Sequence, residues 1–72
     1  HNKINSDKYQ LSERELICLY LASKGLIRKE IADKLNISDE TAKFYLKNAR
    51  TKLGARNTTH AVALAIDQLL FK

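Results

Sequence analysis

An all-α fold of four short helices is what this sequence predicts, and three observations carry the prediction. The 72 residues hold no Pro and only two Gly, with Leu, Ala, Ile, Lys and Glu abundant; such a composition builds helices with short joins. Apolar residues recur at three- and four-residue spacings, the period of a helix buried on one side. Helix starts and stops also recur: Ser12 with Glu15, Ser38 with Asp39 and Glu40, and Asn57 on the opening side, Gly25, Asn36 and Gly54 on the closing side.

Residues 1–10 are polar apart from Ile4 and Tyr9 and read as a linker or frayed end. Residues 11–72 are expected to form one domain. Leu11 to Lys24 is the first helix. Ser12 and Glu15 have the spacing of a capping box, and Leu11 can staple onto Leu16. Leu16, Leu19 and Tyr20 share one side, Ile17 and Leu21 another, Cys18 and Ala22 a third, so the helix is apolar over most of its circumference. Ile17 and Tyr20 lie side by side. They are either core residues or an exposed patch for a partner. Gly25 ends the helix.

Ile27 to Leu35 is a short second helix with Ile31 and Leu35 facing inward and Arg28, Lys29 and Lys34 outward. Ile27 is a poor cap, having no side-chain acceptor. Asn36-Ile37-Ser38 then makes a tight turn, in which Asn tolerates a left-handed conformation.

Ile37 to Gly54 is the third helix with its caps. Ser38 can accept from the first-turn N–H groups, Asp39 and Glu40 sit where the helix dipole is positive, and Gly54 supplies the left-handed end. Ala42, Leu46, Ala49 and Leu53 form one narrow apolar stripe. Glu40, Lys43, Phe44, Lys47 and Thr51 turn away from it, and no acid occurs from Thr41 to Thr59. A slim rod with that outer face fits the major groove of B-DNA. Taken alone, it reads better as an ordinary amphipathic surface helix with a solvated basic face; what precedes and follows it turns the reading toward DNA. Two helices joined by a three-residue turn, the second basic outside, form a helix-turn-helix.

Asn57 can cap a fourth helix, Thr58 to Phe71, whose stretch from Ala61 to Ile66 is apolar on every side. Either a second copy or another domain covers its outer face, or the alanines there are simply exposed.

The net charge is +5 and the pI near 9.6, which favours a polyanionic partner but also suits ordinary solubility. A single cysteine excludes a disulfide framework, and Cys18 reads as a small core residue. His1 and His60 have no ligand cluster around them, so neither a metal nor another cofactor is expected. There is no membrane-spanning run and no signal peptide, and a cytoplasmic protein without membrane contact is expected. No constellation of nucleophile, base or phosphate loop points to an enzyme. The absence of Met leads us to expect a domain of a longer protein.

LSERE in the first helix, KEIADKLNIS through the turn, T-A-K in the third helix and KLGARN-x-x-x-AV before the fourth together resemble the LuxR/GerE-type DNA-binding domain of bacterial transcription regulators. The resemblance runs from about Leu11 to Ala65. It implies a three-helix core like that of a winged helix but without the wing, plus a C-terminal dimerisation helix. It further implies sequence-specific binding to double-stranded DNA as an output domain. The expected base readers are Lys43, Phe44 and Lys47, at positions that face bases in the family. The expected phosphate contacts are Arg28, Lys29, Thr41, Arg50, Lys52, Arg56, Asn57 and Thr58. A weak homodimer, formed on DNA, is expected through Ala63, Ile66 and Leu70. Ile17 and Tyr20 are the candidate patch for an upstream regulatory domain of the same chain or for RNA polymerase. The sequence departs from the family pattern at Ile27, at Ile17 and Tyr20, where the family often has polar residues, at Phe44 and Glu40, and at His60, which stands where a glutamate often closes a capping box. A σ-factor region-four domain shares the LxERE and ISxxTxK patterns, but the KLGARN lead-in and fourth helix argue against it. A protein-interaction module without DNA binding is the alternative that Glu40 favours.

Overall fold

The computed structural model describes residues 10–68, which form four helices: α1 (Glu13–Ser23), α2 (Arg28–Leu35), α3 (Asp39–Leu53) and α4 (Thr58–Asp67). There is no strand among the described residues. The 1–10 linker, apart from Gln10, lies outside them, as do Leu70 and Phe71.

Local chemistry sets most boundaries. Ser12 Oγ accepts from Glu15 N at 3.1 Å and Glu15 Oε1 accepts from Ser12 N at 2.9 Å, a complete capping box. Ile27 has no oxygen to offer α2, so only the reciprocal half exists there: Glu30 Oε1 accepts from Ile27 N at 2.9 Å. Ser38 Oγ accepts from Thr41 N at 3.0 Å, and Asn57 Oδ1 from His60 N at 2.8 Å. Left-handed residues close α2 and α3. Asn36 has φ 57° and Gly54 φ 69°, and the next amide folds back five residues in each case, Ile37 N to Ala32 O and Ala55 N to Arg50 O.

α4 is described as far as Asp67, with Gln68 as its cap at φ −89°, ψ 3°; the expected continuation to Phe71 lies outside the described residues.

The core lies where α3 packs on α1, α2 and α4, with α1 also against α2 and α4. The whole α3 stripe of Ala42, Leu46, Ala49 and Leu53 is buried, alongside Leu11, Cys18, Leu19, Ile31, Ala32, Ala61 and Ala65. Alanines at four of these positions on α3 and α4 let the helices approach closely. Leu35 and Ile37 pack half-buried against this cluster. Cys18 is fully buried, and burial pushes its thiol pKa up, partly opposed by nearby Arg14 and reinforced by Glu15. That is the behaviour of a packing residue, not a nucleophile.

Candidate nucleic-acid interface

With its stripe buried, α3 exposes Glu40, Lys43, Phe44 and Lys47, and these four line a shallow cleft of about 300 Å³. Phe44 is 58% exposed, and its ring forms a tilted pair with the half-buried Tyr45 ring, centroids 6.2 Å apart. A large apolar side chain left this open adds little to the fold and is accessible to a partner. Among the described residues no hydrogen bond or ion pair engages the side chains of Glu40, Lys43 or Lys47.

A second cleft, about 370 Å³, opens beside this face between α2, α3 and the start of α4. Its floor includes Leu26, Ile31 and Leu46, and Arg28, Lys43, Arg50 and Thr58 line it with them. Three of the expected phosphate contacts are thus brought together. Arg50 Nη1 donates to Thr58 Oγ1 at 3.3 Å, joining α3 to α4. Arg28 Nε donates to Asp39 Oδ1 at 3.0 Å, both side chains a little under half exposed. That pair links the N-terminus of α2 to that of α3 across the helix-turn-helix. At this exposure it contributes little stability, about 0–1 kcal/mol.

Thr41 stands at the first turn of α3. Its Oγ1 accepts from Ser38 Oγ at 2.8 Å, which leaves its own O–H free to donate outward. Lys29 and Arg56 are exposed cations beside the two helix starts, and Asn57 keeps its amide N–H₂ while its oxygen caps α4. His60 occupies the third position of α4, and its Nδ1 accepts from Arg56 N at 3.0 Å. The ring thereby accepts one residue before the N-cap, where a capping box would accept from Asn57 N, and ties the Arg56 backbone to the first turn of α4.

Lys52 stands apart from the others. Its Nζ donates to Glu15 Oε1 at 2.8 Å and to Gln10 O at 3.0 Å, on the flank of α3 facing the start of α1. Glu15 is 4% exposed, so one carboxylate oxygen holds both the cap of α1 and the end of α3. Sequence reasoning gave Glu15 its capping role and missed this second one, because the partner lies 37 residues away.

Elsewhere, Ile66 is 51% exposed and Ala63 is exposed beside it, whereas Ala61 and Ala65 are fully buried; the apolar circumference of α4 is half covered. Leu70 lies outside the described residues. Ile17 and Tyr20 are half-buried, and among the described residues neither packs against the buried cluster. Lys24 Nζ lies 5.3 Å from the Tyr20 ring centroid, a cation–π contact. No described helix is long and apolar enough to cross a membrane, and no described group of His, Cys, Asp and Glu could hold a metal ion.

Residues 9–65 match the family model described as bacterial regulatory proteins, luxR family. The chain is 40% identical over 67 residues to the transcriptional activator protein CarR of Pectobacterium carotovorum subsp. carotovorum, covering 93% of this chain and 28% of that protein. It is 41% identical over 58 residues to the nitrate/nitrite response regulator protein NarP of Escherichia coli (strain K12), covering 81% and 27%. With the transcriptional activator protein VanR of Vibrio anguillarum it shares 45% identity over 56 residues, covering 78% and 23%. The chain spans less than a third of the length of these relatives.

Proposed function

The chain belongs to the LuxR family of bacterial regulatory proteins, and from that premise we propose that the outer face of α3 reads base edges in the major groove of a specific duplex. As a family it is one of transcription regulators, not of enzymes, and this chain is a DNA-binding domain of that kind. The observation that carries the finer reading is the exposed set of Lys43, Phe44 and Lys47, the two lysines without a hydrogen bond or ion pair among the described residues, on a helix whose opposite stripe is buried. Either lysine can meet the O6 and N7 acceptors of guanine, and the Phe44 ring can meet a thymine methyl.

Phosphate contacts supply most of the affinity and hold α3 in register. The shared cleft and its Arg28, Arg50 and Thr58 support one cluster; Lys29 adds to it at the start of α2, and Thr41 donates from the first turn of α3. Arg56 and Asn57 serve at the start of α4. Lys52 joins this set only by letting go of Glu15, so its contribution is the smallest.

Two copies pair through the Ala63 and Ile66 face of α4; the third expected member of that contact, Leu70, lies outside the described residues. Pairing about a two-fold axis sets the two α3 helices one helical turn apart, roughly 34 Å, so the operator is an inverted repeat. The contact is small and alanine-rich, so the dimer is weak and forms on DNA. An upstream regulatory domain of the same chain is supported by the length of the relatives, one of them named a response regulator. The Ile17 and Tyr20 patch serves that domain or RNA polymerase, in the cytoplasm.

The test is Lys47→Ala. Its side chain is exposed, so thermal stability should hold while specific affinity falls by roughly 1–3 kcal/mol. An unfolded variant, or one with full specific affinity, would show that α3 does not face the groove as described.

A further inference from the structure

We propose that Glu40 is a base reader, taking the N4 amino group of a cytosine, and that the half-site therefore carries a C·G pair opposite the first turn of α3. The inference rests on the reading of α3 as the groove helix and adds to it a specificity.

Glu40 lies near the middle of the outward face. At roughly 100° per residue, Glu40, Phe44 and Lys47 fall within about 60° of one another on the side opposite the buried stripe. It is exposed and lines the same cleft as Lys43, Phe44 and Lys47. It is also the sole acid on that face. Other acids nearby have work in the fold: Glu15 caps α1 and holds Lys52, Glu30 caps Ile27, and Asp39 holds Arg28. No described group engages the Glu40 carboxylate. Ser38 already caps α3 through Thr41 N, and Asp39 already places an acid in its first turn. Glu40 is thus not needed to start the helix.

The N-terminal residues of a recognition helix are the ones that meet base edges. A carboxylate there only accepts hydrogen bonds. Guanine offers it O6 and N7, and thymine O4, all of them acceptors that repel it. Adenine offers one donor beside an acceptor. Cytosine alone offers a donor with no acceptor beside it on the same base. Lys43 and Lys47, flanking Glu40 on the same face, keep the local field positive, so the acid can enter a groove walled by phosphates.

Selection of bound sequences from a random duplex pool tests this, run in parallel on the intact chain, Glu40→Gln and Glu40→Ala. The native chain should select C at one position and lose roughly 5- to 150-fold in affinity when that pair alone is changed. Glu40→Ala should lose that preference, keep the others, and bind random duplex more tightly for want of one negative charge. Glu40→Gln should move the same position toward A, because an amide pairs with both N6 and N7 of adenine. Unchanged preference at every position in both variants would overturn the proposal while leaving the groove reading intact. Failure of the native chain to show salt-dependent duplex binding would overturn both.

Discussion

Substituting Lys52 by Met keeps the length of the side chain along α3 and removes its ammonium from Glu15. The carboxylate is then left 4% exposed with Ser12 N as its remaining described partner at 2.9 Å. Removing one member of a buried pair costs about 3–5 kcal/mol. Lys52 is itself 36% exposed at the side chain, so water reaches this site and the figure falls to about 2–3 kcal/mol. Glu15→Gln is the milder change. The amide oxygen still accepts from Ser12 N, and Lys52 turns to water and Gln10 O, so the loss is about 1 kcal/mol. At about 4–8 °C per kcal/mol for a domain this small, Lys52→Met should lower Tm by roughly 10–20 °C and Glu15→Gln by roughly 5 °C. Both single variants and the double variant should be melted by circular dichroism and by urea. The double variant, with no stranded charge, should be more stable than Lys52→Met alone. If Glu15→Gln costs more than Lys52→Met, or the two effects add within about 0.5 kcal/mol, the pair does not couple α1 to α3 as argued.

Other expectations follow from the same geometry. Arg56→Ala should weaken binding to all duplexes by similar factors and flatten the plot of log K against log salt by about one unit; a loss confined to one operator would make Arg56 a base reader. Ile66→Glu should abolish cooperative occupation of two half-sites while a single half-site still binds, as gel-shift titrations on one-site and two-site duplexes would show; unchanged cooperativity places the dimer contact elsewhere. Cys18 has its pKa raised by burial, so its contribution to stability is present below the unfolded thiol value, about 8.5, and is lost as pH climbs through the folded one, because there the unfolded chain ionises first. Urea melts between pH 7 and 10 should therefore show a steeper alkaline decline for the native chain than for Cys18→Ala, and equal slopes would exclude that effect.

The parts of the fold that were legible in the sequence are those decided within four or five residues. The Ser12/Glu15 box, the Ser38 and Asn57 caps and the left-handed Asn36 and Gly54 are all present, because each depends on a side chain meeting its own backbone. The α3 stripe was legible because four inward positions at helical spacing have no other place to go. What the sequence concealed joins distant residues. Glu15 to Lys52 and Arg28 to Asp39 depend on how helices cross, and spacing along the chain says nothing of that. The expected set of phosphate contacts consequently included Lys52 with the rest, whereas the fold turns its ammonium toward α1. His60 looked like a missing cap, and its ring nitrogen proved able to accept from Arg56 N.

Amide chemical-shift mapping on the isotope-labelled chain, titrated with a duplex that the chain itself has selected, tests the central claim most directly. The largest changes should run from Ser38 to Lys47, with a second group at Arg28 and Lys29 and a third from Arg56 to Thr58, all weakening together as salt is raised. Changes confined to α1 or to the Ala63 and Ile66 face of α4, with α3 silent, would contradict it.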